Sequence, residues 1–403
     1  MKKIIALGIT ISLLFLVGCS NGKVPSHSDE EILSKSYEEI EKSAQGSTVN
    51  FYGWGGNEVL NKWFDSYVIP NMKEKYDINV KRVGMDIDTT MNQLISEKQV
   101  GNNKGSIDVF WVNGENFKTA KDNELLFGPF SSKIVNYDKY VDKNSKDITT
   151  DFGTAVDNME SPWGKASFTV IKNSDKVKAN IVDTNTLKEA IINNPGKFTY
   201  PAPPDFTGSA FVRNIIYDIV GYENIKNLSE DEEAVKKAIQ PAIDYLNDIK
   251  PYLWNEGKTY PSTIAQLDNM YSDGEVNFSM TYAPNEVEAK VNSKEFDKST
   301  EFINLDKGNI SNTHFLAIPK NSSNKEGAMV LINYLTSIDA QASKSESKNW
   351  GDMTILDLNK IPKEDKSKFK SSVQVKNSVP EIKASLVPII EKIWLEEVAN
   401  NNE

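Results

Sequence analysis

Hydrophobic positions first gather in a run over 4–15, broken only by Gly8, Thr10 and Ser12, directly behind Lys2 and Lys3. That run falls short of the roughly 20 apolar residues a helix needs to cross a bilayer. A basic start, a short apolar core and a small residue, Gly18, before Cys19 describe a secretory signal over 1–18. Polar and charged residues then dominate up to Gly46, with only a weak apolar stripe over 28–44. This pattern predicts a spacer over 19–46, holding at most one short charged helix.

Regular patterning begins at Ser47. The run 47–52 reads as a strand, 58–75 as a helix capped by Asn57, 78–83 as a strand, 89–100 as a helix and 107–112 as a strand. Strand and helix in alternation predict an α/β unit with a parallel sheet. Ligands in such sheets bind at the carboxyl ends of strands, so Gly53–Gly56 and the stretch 111–117 are expected on one pocket rim. A strand over 166–171, entered through Ser161-Pro162-Trp163-Gly164, predicts a crossing into a second lobe. That lobe is expected to hold helices over 186–194, 209–220, 230–253 (interrupted at Pro241) and 264–272, with strands over 198–200 and 275–282. The first turn of the 209–220 helix offers free backbone N–H groups to an anion or a carbonyl. A strand over 312–318 and a helix over 325–336 mark the return, and a helix over 379–400 ends the chain. The predicted divisions are 1–18 signal, 19–46 spacer, 47–165 first lobe, 166–305 second lobe, and 306–403 the return to the first lobe with C-terminal helices.

Composition narrows the function. The 403 residues, 39% hydrophobic and 26% charged, are ordinary for a globular chain able to bury a large core. Net charge is −11, and removing Lys2 and Lys3 with the signal leaves 44 − 57 = −13. An acidic chain argues against nucleic acid as a partner and against a broad basic face lying on anionic lipid. Cys19 is the only cysteine, so no disulfide forms within the chain. The histidines, His27 and His314, lie too far apart in sequence for a clustered metal site, and neither metal nor cofactor is expected. No GxSxG, HExxH or cysteine nucleophile is present beyond the signal, so no catalytic residue is assigned. Paired carboxylates are unavoidable among 57 acidic residues. An exported hydrolase of envelope polymers is therefore the alternative function, and an adhesin a further one.

Two resemblances sharpen this picture. Leu16-Val17-Gly18-Cys19 resembles a bacterial lipobox. The resemblance implies that Cys19 is acylated (the palmitate-type anchor of lipoproteins), becomes the N-terminus, and holds the chain on the outer face of the cytoplasmic membrane. The order of units, with the return segment Phe315-Leu316-Ala317-Ile318-Pro319-Lys320, resembles the solute-binding proteins of ABC importers. More narrowly, FYGWGGN, DVFWVNGENF, LLFGPF and PDFTGSAFVR are similar to YnjB-type binding components. Those sit with thiamine-, polyamine- and iron-binding relatives of the two-crossover (type II) periplasmic-binding-protein fold. What this implies is a two-lobe α/β fold with a ligand cleft between lobes, closure on binding, and a permease and ATPase on separate chains.

Candidate ligand residues follow from the strand and helix ends. Trp54 with Gly55 and Gly56 offers an aromatic wall and close backbone approach. Asn113, Glu115 and Asn116 follow the third strand, where Trp111 reads as core. Trp163 stands at the crossing. Asp205, Phe206, Thr207, Gly208 and Ser209 open a helix, and Arg213 one turn on pairs with either a ligand acid or a structural carboxylate. Tyr282, Asn285 and Glu286 end the second-lobe strand. His314 reads as a core or rim histidine, and Trp350 as a loop residue with a place over the cleft open to it. Aromatics with Glu115 and Glu286 suit a flat-ringed cation through stacking and cation–π contact, hence a thiamine-like or polyamine-like solute. A sugar or a metal is the alternative cargo. An iron site of the paired-tyrosine kind fits less well, because no two tyrosines are adjacent.

Overall fold

The computed structural model describes residues 28–369 and 377–400. Cys19 and the signal lie outside the described residues. In the first lobe a sheet has the strand order β9-β8-β3-β1-β2, with β4 also paired to β8. Here β1 is Thr48–Gly53, β2 Asn79–Gly84, β3 Val109–Val112, β4 Glu160–Ser167, β8 Asn309–Ala317 and β9 Ser378–Pro380. β1 runs parallel to both β2 and β3, while β8 runs antiparallel to β3 and β4. The second lobe holds an antiparallel sheet β6-β5-β7, formed by Thr169–Asn173 (β5), Phe278–Thr281 (β6) and Thr300–Ile303 (β7). Each lobe buries its own large apolar cluster.

Among the described residues the chain passes between lobes at three points. β4 leads into β5 through Phe168, whose N–H donates to Ile310 O at 2.7 Å. β7 returns to β8 through 304–308. After β9 the chain crosses again, and the helix Val387–Trp394 packs into the second lobe's core, where Trp394 Nε1 donates to Tyr200 Oη at 3.1 Å. The expected 379–400 helix thus starts later and belongs to the second lobe.

From Ser28 onward the expected spacer is ordered. Two helices, Asp29–Ser34 and Tyr37–Ala44, bury Ile32, Ile40 and Ala44 in the first lobe's core. A capping box at Ser36 and Glu39 starts the second of them. Ion pairs Lys325–Asp29 (3.0 Å) and Lys35–Glu326 (3.0 Å) tie the pair to the start of the helix Lys325–Leu335. Few apolar residues sufficed, because only one stripe of each helix faces the lobe. Asn324, which caps Lys325–Leu335, donates to Ser47 Oγ and Thr48 O at the start of β1. The N-terminal helices therefore sit at the end of the lobe away from Trp54.

Elsewhere the differences are local. The 58–76 helix is continuous but widens into a π turn over Phe64–Val68, just before Pro70, whose missing N–H and ring disfavour an ordinary α turn there. Pro241 sits inside the unbroken helix Glu232–Ile249. Phe198 and Tyr200 are buried but form no strand.

Candidate functional site

The carboxyl ends of β1, β2, β3 and β6 converge on a cavity of about 850 Å³ between the lobes. On the first-lobe side, Trp54 leaves the end of β1 and stays 53% exposed. Gly56 allows this: a Cβ there would meet the Trp54 ring at 2.4 Å. Gly55 packs against Gly84 at the end of β2. Both glycines thus shape the turn, and neither lines the cavity.

Asn113 and Asn116 line it, while Glu115 points to solvent on the first turn of Gly114–Asp122. The Asn113 amide is spent internally. Its Oδ1 accepts from Trp111 Nε1 at 2.7 Å and its Nδ2 donates to Thr313 O at 2.6 Å. Asn113 thereby holds Trp111, which is half-buried and lines the cavity, contrary to its reading as core. Trp163 is the buried member of this cluster, with no exposed surface, and does not reach the cavity. It supports Trp111 (ring centroids 5.2 Å apart) and Trp350 (4.9 Å) from behind.

Trp350, His314 and Asp352 form the floor. The His314 and Trp350 rings lie 5.9 Å apart with 20° between planes. His314 Nε2 is 3.3 Å from Asp352 Oδ1, and Asp352 Oδ2 accepts from Lys344 Nζ at 2.5 Å. Lys344 is wholly buried, and also donates to Trp163 O (2.9 Å) and Met353 O (2.8 Å). Burial draws its ammonium below the ordinary lysine value, against the pull of Asp352. Gly164 is required beneath: a Cβ there would lie 2.0 Å from Asp352 Oδ2.

Across the cleft, Phe206 (53% exposed) and Tyr282 stand with ring centroids 4.7 Å apart. Asp205 and Thr207 line the cavity, but the helix Phe206–Ile219 offers no free N-terminus. Asp205 Oδ1 already accepts from Thr207 N (3.0 Å) and Gly208 N (2.9 Å), and its Oδ2 from Ile264 N (3.2 Å). The expected anion site is occupied by the chain's own carboxylate. Gly208 packs on Pro201 O, where a Cβ would come within 1.9 Å. Ser209 is buried, donating to Glu391 and accepting from Arg213. Neither belongs to the wall. Arg213 takes the structural alternative: it grips Glu381 at 3.0 and 2.9 Å, and Tyr282 Oη donates to the same carboxylate at 2.7 Å. Burial, then Glu381, push the Tyr282 phenol well up. The side chain of Asn285 lies outside the described residues.

Glu286 lines the cavity and accepts from Asn57 Nδ2 of the other lobe at 3.0 Å. Burial pushes its carboxyl above the usual range, against that hydrogen bond. Lys290 is bound to Asp268 (2.6 Å) and lies 3.4 Å from Glu295. Burial works to lower Lys290, and these two carboxylates outweigh it and hold it up. The described lining thus carries Asp86, Asp205, Asp268, Glu286, Glu295 and Asp352 against one lysine that is already neutralised. Among the described residues no group of three His, Cys, Asp or Glu is placed to hold a metal ion.

Sequence reasoning missed Met85 and Asp86 although they follow β2 by the same strand-end rule. Asp268 and Lys290 carried no such signal, since each sits within a helix.

Two α/β lobes joined by crossing segments around a deep cleft define a binding protein of the periplasmic type. The model of the bacterial extracellular solute-binding proteins matches residues 68–355. Protein YnjB of Escherichia coli (strain K12) is 33% identical over 366 residues, 90% of this chain and 94% of that one. The chain therefore belongs to the bacterial extracellular solute-binding proteins. Among solved structures, the spermidine/putrescine ABC transporter substrate-binding protein PotD of Streptococcus pneumoniae superposes with a TM-score of 0.60 at 13% identity, covering 87% of this chain and 98% of that one. The Trichodesmium protein IdiA (FutA), solved with iron and citrate, gives 0.61 at 16% identity over 88% and 100%. Membership places the chain outside the cytoplasm, and no described helix is long and apolar enough to cross a membrane.

Proposed function

We propose that this chain is a lipoprotein anchored through Cys19. It captures a flat organic cation in the interlobe cleft and hands it to a permease driven by an ATPase, both on separate chains. It performs no catalysis. The observation that carries this reading is the charge at the cavity: six carboxylates in the lining against two lysines, Lys290 in the lining and Lys344 buried behind Asp352. Trp54, Trp111, Trp350, Phe206 and Tyr282 add ring surfaces from both lobes. A cavity of about 850 Å³ is of the size that encloses a drug-sized molecule, and far exceeds a bare metal ion. A thiamine-like solute combines ring and charge. A polyamine-like one is the second reading, favoured by carboxylates on both lobes, Asp352 on one and Glu286 on the other.

The test is a thermal-shift screen with thiamine, its pyrimidine fragment, polyamines, sugars and metals. Saturation at 100 times Kd adds about 2.7 kcal/mol, enough to raise the midpoint by several degrees. A rise with a ring-bearing cation supports the reading. A rise confined to a sugar or a metal overturns it, and hydrolysis of the solute moves the assignment to an enzyme.

A further inference from the structure

The lobes are linked across the cleft by Asn57 and Glu286. Asn57 is fixed from its own side: its Oδ1 caps the helix Glu58–Trp63 by accepting from Leu60 N at 2.9 Å. That cap aims the remaining Nδ2 protons at the opposite lobe, where Glu286 Oε1 accepts at 3.0 Å. Glu286 stands in the first turn of Pro284–Asn292, just after Pro284. No cation among the described residues pairs with it. Lys290, one turn further along the same helix, is claimed by Asp268 and Glu295. Lys290 still attracts Glu286 through space without bonding it, while Asp352 on the facing lobe and Asp268 on its own lobe repel it.

A neutral amide proton offsets only part of the penalty of taking a carboxylate out of water. Closing the lobes therefore buries a negative charge with no cation of the described chain in direct contact, Lys290 acting only from a distance. A cation between the lobes supplies that partner. A ligand shifts such an equilibrium by the difference in its affinity for the two states, and here the difference is written into one side chain.

We propose that Asn57 and Glu286 form a latch that makes closure of the cleft conditional on a bound cation: Asn57 aligns the lobes, and Glu286 disfavours closing on an empty cleft. The role goes beyond ligand contact, and it rests on the cation reading above. Glu286→Gln keeps an acceptor for Asn57 and removes the buried charge, so this variant closes without solute. Asn57→Asp keeps the helix cap, since Asp caps as well as Asn, and sets two carboxylates face to face, so this variant stays open.

The experiment measures the distance between spin labels on exposed positions of the two lobes, Val100→Cys and Tyr252→Cys, in the full chain purified in detergent. Without solute, the parent is expected to show mainly the long distance, Glu286→Gln mainly the short one, and Asn57→Asp the long one alone. Thiamine or spermidine at millimolar concentration should shift the parent to the short distance and leave Glu286→Gln where it was. Identical solute-free distributions in the parent and Glu286→Gln overturn the latch, as does a parent already closed without solute. If Glu286→Gln closes while neither probe moves the parent, the latch stands and the choice of cation fails.

Discussion

Lys344 Nζ lies 2.5 Å from Asp352 Oδ2, and neither residue has appreciable exposed surface. This pair fastens the loop that carries Trp350 and Asp352 to the cleft floor. Lys344→Met leaves Asp352 buried without its ammonium, and breaking such a pair typically removes about 3–5 kcal/mol of stability. The expected result is a lower urea midpoint and a weaker thermal response to solute. Gly164→Ala drives a methyl into Asp352 and should reproduce both effects. If either variant matches the parent in urea, the loop is held by something else.

Trp54, half exposed at the cleft mouth, contributes to binding with little share in the core. Trp54→Ala should weaken solute binding by about tenfold, or roughly 1.4 kcal/mol, and move the melting midpoint by no more than about 1 °C. Unchanged affinity in calorimetry would remove this ring from the wall.

Arg213 and Glu381 form a buried bidentate pair beneath Tyr282. Arg213→Met strands Glu381 and is expected to lower stability by about 3–5 kcal/mol, and replacing Glu381 by Leu as well should restore much of it. A double variant as unstable as the single one would show that the packing, not the charge, is at fault.

Asp151 accepts from Gly114 N at 2.6 Å and lies near the buried Glu160, whose carboxylate oxygens have no hydrogen-bond partner. Burial pushes Asp151 up to about 8. Between its unfolded value near 4 and that folded value, the folded state holds the proton and the unfolded chain releases it. Stability should therefore fall as pH rises through this window, by at most about 1.4 kcal/mol per pH unit for one group, and level off above it. Urea unfolding at pH 5 and pH 8 should show this slope in the parent and a flatter one in Asp151→Asn. Equal slopes would acquit Asp151.

Cys19→Ala should release the protein from membrane fractions and leave solute affinity unchanged. Retention in the membrane pellet would refute the anchor.

The two-lobe architecture was legible because strand–helix alternation repeats on both sides of the crossing, and periodicity survives in helices such as Ile264–Ser272. The cleft was legible only in part. Strand ends pointed to Trp54, Asn116, Tyr282 and Glu286, all in the lining. What failed was the assignment of free hydrogen-bonding capacity. Asp205 fills its own helix start, and Asn113 spends its amide on Trp111. Their remaining partners, Ile264 N for Asp205 and Thr313 O for Asn113, lie 59 and 200 residues away, and local pattern carries no trace of them. Trp111 and Trp163 illustrate the same limit. Both lie on strands, Trp111 on β3 and Trp163 on β4, and only the pairing of each strand with β8 decides which one faces the cleft.

The fastening of residues 29–44 to the first lobe has a mechanical meaning. Any pull from before Asp29 runs along these helices and the backbone into β1, and the ion pairs at Lys325 and Lys35 share it with the helix Lys325–Leu335. That load path bypasses all three crossing segments. Tension therefore meets the first lobe before it meets any crossing segment, and the second lobe hangs from the far side of the load.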